Sequence, residues 1–103
     1  MNNTKYNVII TDEFYRLLDM HIEFLARVSV KAARKLNREV LEKTISLSEF
    51  PERYPIWLTD YALNIKYRNI LVEKRYLIIY YVDGEDVFVD YLFDSRMDNE
   101  RFL

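Results

Sequence analysis

No cysteine occurs in the 103 residues. That excludes a disulfide framework, a thiol nucleophile and any metal site built on thiolates, and it suits a reducing compartment such as the cytoplasm. Gly84 is the sole glycine, so no glycine-rich loop can cradle a phosphate. With a single histidine, His21, neither metal-ligand spacing nor a Ser-His-Asp arrangement is supported, and no small-molecule cofactor or metal is expected. No apolar run approaches the ~18 residues that span a bilayer, and Met1–Lys5 runs into a strand-like segment without a signal peptide's apolar stretch. A membrane partner is therefore not expected. The net charge is only -2, which argues against coating nucleic acid by bulk electrostatics.

What the chain does contain is a core. Half of it is hydrophobic and 16% is aromatic, with nine tyrosines, enough to exclude intrinsic disorder and to fill one interior but not two. Residues 1–103 read as a single domain without repeats or linkers. Charge is unevenly placed along it. Arg27 to Lys43 holds six cations against two anions, a local balance of +4, whereas Asp83 to Glu100 holds seven anions against Arg96, a balance of -6.

Tyr6 to Ile10 is rich in β-branched residues and reads as a strand, and Thr11-Asp12 can cap the helix that follows. Phe14, Leu17, Leu18, Ile22 and Leu25 share one face of a helix from about Asp12 to Val28. Ser29 is placed to cap a second helix, with Ala33, Leu36, Val40 and Leu47 as its apolar stripe and Lys31, Arg34, Lys35 and Arg38 on another face. On that solvated face, pairing of Lys35 with Glu39 and of Arg38 with Glu42 is expected. Pro51 and Pro55 end helical structure, and Phe50 to Asn64 reads as an irregular connection pinned by Tyr54, Trp57 and Tyr61. Three strands follow: Ile65 to Glu73, a turn at Lys74-Arg75, Tyr76 to Val82 in the centre of the sheet, a hairpin at Asp83-Gly84, and Val87 to Phe93, with Val87, Val89, Tyr91 and Phe93 on one face. The fold class is α+β: an N-terminal strand and a helical hairpin packed on a largely antiparallel sheet, in the order β-α-α-β-β-β.

Four segments occur in a familiar order: Leu47-Ser48-Glu49-Phe50-Pro51, Tyr67-Arg68, Arg75-Tyr76-Leu77-Ile78-Ile79-Tyr80-Tyr81-Val82, and Tyr91-Leu92-Phe93-Asp94-Ser95-Arg96-Met97-Asp98. Together with the order of elements they make almost the whole chain resemble the RelE/ParE toxins of type II toxin-antitoxin systems. The resemblance implies a growth-inhibiting toxin of a plasmid-stabilisation type of module, with a cognate antitoxin as its first partner. It leaves two targets open: the RelE branch cleaves mRNA on the ribosome, and the ParE branch inhibits DNA gyrase. A third reading is an inactive member that serves as an antitoxin-binding or autoregulatory module.

Metal-free RNA cleavage needs a base for the ribose 2′-hydroxyl, cations for the phosphorane and an acid for the leaving oxygen. By resemblance, Arg68 stands where the family often carries a sheet arginine, and Arg96 where a basic residue often follows the last strand. Arginine suits the phosphorane because it stays charged and grips phosphate with two parallel bonds. Glu73 is the candidate base, weighed against a solvated residue in a turn beside Lys74 and Arg75. Many relatives carry histidine where Asp94 stands here, or histidine or tyrosine near the C-terminus, and this tail has neither. His21 lies on the apolar face of the first helix and reads as a packing residue. Tyr76, Tyr80, Tyr81, Tyr91 and Phe93 are weighed as a base-stacking platform against ordinary sheet packing.

Overall fold

The computed structural model describes residues 5–96. Strand β1 (Asn7–Ile10) leads into helix α1 (Asp12–Ala26), and α2 (Val30–Ser46) follows after a short elbow. The two capping residues act as the sequence indicates. Thr11 accepts from the N–H of Phe14 at 3.2 Å, and Ser29 accepts from the N–H of Ala32 at 3.0 Å, each satisfying a donor the helix cannot. The Thr11 hydroxyl also donates to the Val89 carbonyl at 3.2 Å, so the start of α1 is fastened to the sheet it covers.

The connection after α2 contains a single 3-10 turn, Pro51–Arg53, and then a strand, β2 (Ile56–Asp60). This corrects the expectation of an irregular segment. Pro55 precedes the strand and therefore removes no ladder bond. Of the three aromatics expected to pin the connection, Tyr54 packs edge-on to Tyr80 at 6.5 Å and Trp57 meets Phe93 at 6.1 Å, while Tyr61 is exposed. The remaining strands are β3 (Ile65–Val72), β4 (Tyr76–Asp83) and β5 (Asp86–Asp94). They form one sheet of order β1-β5-β4-β3-β2, antiparallel except that β1 runs parallel to β5. Strand β4 is central, as its two apolar faces require.

Both tight turns lie one residue away from their expected positions. The β3–β4 turn is centred on Glu73 and Lys74, with φ 54° and 56°, and is closed by the Arg75 N–H donating to the Val72 carbonyl at 3.1 Å. Two left-handed residues in succession match the twist of the strands they join. In the β4–β5 hairpin Asp83 pairs with Asp86, so the loop is Gly84-Glu85 and the glycine, at φ 62°, supplies the positive φ at its first position.

One face of the sheet is covered by the hairpin. Phe14, Leu17 and Leu18 of α1 and Leu36 and Val40 of α2 pack on Ile70, Val72, Ile78, Tyr80, Val87, Val89 and Leu92. Completing this core, Leu47 and Ala33 are buried, so the whole apolar stripe of α2 is used. The Tyr80 hydroxyl donates to the Pro51 carbonyl, a bond that ties the 3-10 turn to the centre of the sheet.

The opposite face has a core of its own. Two bulges make it. At β2–β3, Ile56 pairs with Arg68 and Leu58 with Tyr67, leaving Trp57 as the extra residue. At β4–β5, Tyr80 pairs with Val89 and Ile79 with Tyr91, leaving Asp90 as the extra residue. The second bulge reverses the alternation of β5: Val87 and Val89 face the helices, whereas Tyr91 and Phe93 face away, so the four do not share a side. Bulges bend the strands that carry them, and the sheet curls until Trp57 of the edge strand meets Phe93 across β3 and β4. Beneath them Ile79 is fully buried, although neither α1 nor α2 lies on that face.

Candidate functional site

Arg68 lies on β3 opposite Tyr80. Its Nη1 donates to the carbonyls of Glu52 at 3.1 Å and Tyr54 at 2.7 Å. The guanidinium thus anchors the turn after α2 to the sheet, beside a Tyr80 hydroxyl whose pKa burial pushes well up.

The other two expected site residues lie elsewhere. Glu73 and Arg96 line one cavity of about 340 Å³ where the β3–β4 turn meets the elbow of the helical hairpin. Leu25, Ala32, Leu36 and Tyr76 give it apolar walls, and Lys74 and Arg75 complete its rim. Arg68 is not among the lining residues, so the structure brings Glu73 and Arg96 together and leaves Arg68 apart. Glu73 is engaged: Lys35 Nζ stands 3.6 Å from its carboxylate, reaching across to the sheet instead of along the helix to Glu39. Glu39 is held above the usual carboxylate range by its hydrogen bond with Glu73.

Behind this cavity is a charge pair that sequence reasoning missed. Arg75 Nε and Nη2 donate to Asp94 Oδ2 at 3.1 and 2.8 Å, while the Arg96 N–H donates to Asp94 Oδ1 at 3.0 Å. The Asp94 side chain is 1% exposed and that of Arg75 21%. Burial pushes the Asp94 carboxyl up, but the hydrogen bonds from Arg75 and Arg96 and the nearby positive charge outweigh it and hold the group below its ordinary value. Ser95 reinforces the junction, its N–H and hydroxyl both donating to the Arg75 carbonyl at 2.8 and 2.6 Å. Arg75 also lies over the Tyr76 ring, 5.0 Å from its centre. A signal existed in the sequence: Asp94 follows Leu92 by two residues and so falls on the same side of the strand, where an acid must find a partner.

His21 is buried in packing, as expected. Its Nε2 is 3.0 Å from the Leu92 carbonyl and its ring meets Tyr76 edge-on at 5.4 Å. Of the five aromatics weighed as a stacking platform, Tyr76 and Tyr80 face the helices and are buried in the core. The outer face carries Tyr91 stacked on Phe93 at 5.5 Å, and Tyr81 between Tyr67 at 5.5 Å and Phe88 at 5.1 Å. A smaller apolar cavity of about 200 Å³ opens there between Trp57, Leu58, Tyr67, Ile79, Tyr91 and Phe93. The bulge residue Asp90 stands near these rings, and desolvation raises its carboxyl above the usual range. Tyr67 and Tyr81 are likewise pushed up, by burial first and by the Asp90 charge second.

Chemically, the described residues offer a cation-rimmed apolar cavity at one end and an aromatic surface on the outer face. They contain no group of three or more His, Asp and Glu side chains that could hold a metal, and no helix among them is long and apolar enough to cross a membrane. No curated protein matches the sequence. A family profile does match, over residues 8–99, described as the ParE toxin of the type II toxin-antitoxin system, parDE. That stretch takes in every helix and nearly every strand residue described above, and the element order and mostly antiparallel sheet agree with it, so this chain belongs to the ParE toxin family of type II toxin-antitoxin systems.

Proposed function

We propose that this toxin, whose family implies a cognate antitoxin, arrests growth by binding its target rather than by cleaving RNA, and that the target is DNA gyrase. The observation that carries the reading is the separation of the candidate catalytic groups. Arg68 is bonded to two backbone carbonyls, whereas Glu73 and Arg96 line a different cavity. Phosphorane chemistry needs base, cation and acid around one phosphate.

Asp94 supplies no substitute acid. It stands where relatives carry histidine, but its pairing with Arg75 favours the ionised form, and an ionised carboxylate has no proton to give a leaving oxygen. Glu73 is held beside Lys35 at 3.6 Å and shares its cavity with Arg96 but not with Arg68, so it supplies no base next to the sheet arginine. Binding asks for something else, a fixed surface with aromatic anchors, and the outer sheet face has that composition.

Two assays on the purified toxin test the proposal. Inhibition of gyrase supercoiling, with ribosome-bound transcripts left intact, is the expected result. Transcripts cut at ribosomal A sites would overturn it in favour of a nuclease, and Arg68→Ala or Arg96→Ala should then relieve toxicity. Growth unaffected by a folded, antitoxin-free toxin would favour the antitoxin-binding or autoregulatory module.

A further inference from the structure

We infer that the aromatic cavity on the outer sheet face receives an arginine side chain of the toxin's protein target, with the guanidinium against the rings and Asp90 as its counter-charge. The inference deepens the proposed target binding and rests on that reading, since it names what this face grips.

The first support is the cavity itself. About 200 Å³ opens between Trp57, Tyr67, Tyr91 and Phe93, with Leu58 and Ile79 completing the lining. Drug-sized ligands occupy about 300–1,000 Å³, so the space fits one side chain better than a free cofactor. Its rings are fixed before a ligand arrives: Tyr91 stacks on Phe93 at 5.5 Å, Phe93 meets Trp57 at 6.1 Å and Tyr67 meets Tyr81 edge-on at 5.5 Å. Aromatic quadrupoles attract a cation within ~6 Å of a ring centre, and a guanidinium, planar and weakly hydrated, stacks on such rings where an ammonium keeps its water.

The second support is charge. The five strands contain two cations, Lys66 and Arg68, and alternation puts both on the side of Ile70, which faces the helices. The outer side of the same strands carries Asp60, Asp83 and Asp86, and the bulge adds Asp90. Burial raises the Tyr67 and Tyr81 hydroxyls first, and the charge of Asp90 raises both further, joined by Asp60 at Tyr67 and by Asp83 at Tyr81. Asp60 and Asp86 are already engaged, accepting from the Leu63 N–H at 3.1 Å and the Asn7 amide at 3.2 Å. At Asp90 desolvation is the sole influence on the carboxyl, with no donor or cation among the described residues to offset it. A desolvated carboxylate without a partner is unfavourable, and a guanidinium can meet it with two parallel bonds. A nucleic-acid strand would also find rings to stack on, but its phosphates would face aspartates and no cation of the strands.

The test uses the full chain and three synthetic peptides of about a dozen glycine and serine residues, with one central arginine, citrulline or lysine. Citrulline keeps the shape of arginine without its charge. Amide and indole NMR titration should show the arginine peptide saturating with shifts at Trp57, Tyr67 and Tyr91, while Lys74 and Arg96 stay unmoved. The citrulline peptide should bind about tenfold more weakly, and the lysine peptide should fall between the two. Asp90→Asn should lower affinity for the arginine peptide about tenfold, and Tyr91→Leu, which keeps an apolar wall but removes a ring, should weaken it severalfold. Both variants should keep the native far-UV circular dichroism. Equal binding of the citrulline peptide, undiminished affinity in Asp90→Asn, shifts centred on Lys74 and Arg96, or an RNA tetranucleotide that saturates the same signals at lower concentration would each overturn the inference. Gyrase is absent from the titration, so a toxin that binds the arginine peptide yet leaves supercoiling untouched refutes the gyrase reading and leaves the pocket standing.

Discussion

The Arg75–Asp94 pair gives the sharpest quantitative test of the structure. Arg75→Ala removes the guanidinium from a carboxylate that is 1% exposed, while the Arg96 N–H still donates to its Oδ1. Breaking a buried pair by removing one partner costs about 3–5 kcal/mol. Because the Arg75 side chain is 21% exposed, the lower end applies, roughly 3 kcal/mol against a total of about 5–15 kcal/mol for an ordinary domain. The midpoint of thermal unfolding should fall by about 12–24 °C at roughly 4–8 °C per kcal/mol. The pH dependence carries a sign. In the native chain the folded-state Asp94 value lies below its ordinary one, so its contribution is full above the unfolded value of about 3.9 and is lost as pH falls through the still lower folded value. Without Arg75, burial dominates and raises the folded value, so the folded state binds the proton more readily than the unfolded one and stability increases as pH falls towards about 4. The gap between native and variant should therefore be widest near neutrality and narrow in acid. Urea unfolding followed by far-UV circular dichroism across pH measures both quantities. A gap below about 1 kcal/mol at neutral pH, or one that stays constant with pH, would refute the reasoning.

Three further outcomes can be measured in the same way. E73N/K74G places at the β3–β4 turn the residues that take positive φ readily, and should stabilise the chain by about 1–2 kcal/mol. Tyr80→Phe removes the donor to the Pro51 carbonyl in a buried place and should cost about 1–2 kcal/mol. Asp90→Asn should raise the unfolding midpoint at neutral pH: the native carboxyl's value is raised by desolvation, so its ionisation opposes folding above that value, and the advantage of the amide should shrink as pH falls and Asp90 takes up its proton.

The helical hairpin and the central strand were legible because their signals are local: caps, an apolar stripe of period 3.6, and a run apolar on both faces. Strand β2 was not, since five residues between Pro55 and Tyr61 show no clean alternation and the pairing with β3 is interrupted at Trp57. The β3–β4 turn lies one residue before its expected place because Glu73 and Lys74, at positive φ, lack the side chains that normally announce it. Pairing and tertiary packing hold them there. The candidate site was read less well than the fold. Residue type marks Arg68 and Arg96 as cations, but whether a cation is free or bonded to a carbonyl fourteen residues away in the chain depends on tertiary position. Arg75, which sits in a run read only as strand and turn, anchors the buried Asp94.

The extra residue at Asp90 makes β5 two half-strands of opposite phase. Everything on its N-terminal side, Val87 and Val89, is assigned to the helix-covered core, and on its C-terminal side Leu92 and Asp94 take over that assignment. If Asp90 were drawn into the ladder, the last four positions would shift by one: Leu92 and Asp94 would be turned out to the aromatic layer, and Tyr91 and Phe93 driven against α1. Deleting Asp90 would instead leave an unbroken alternation from Val87 to Asp94 in which every other residue keeps its partner and its side. The bulge is what lets a strand one residue too long for its ladder serve both cores at once.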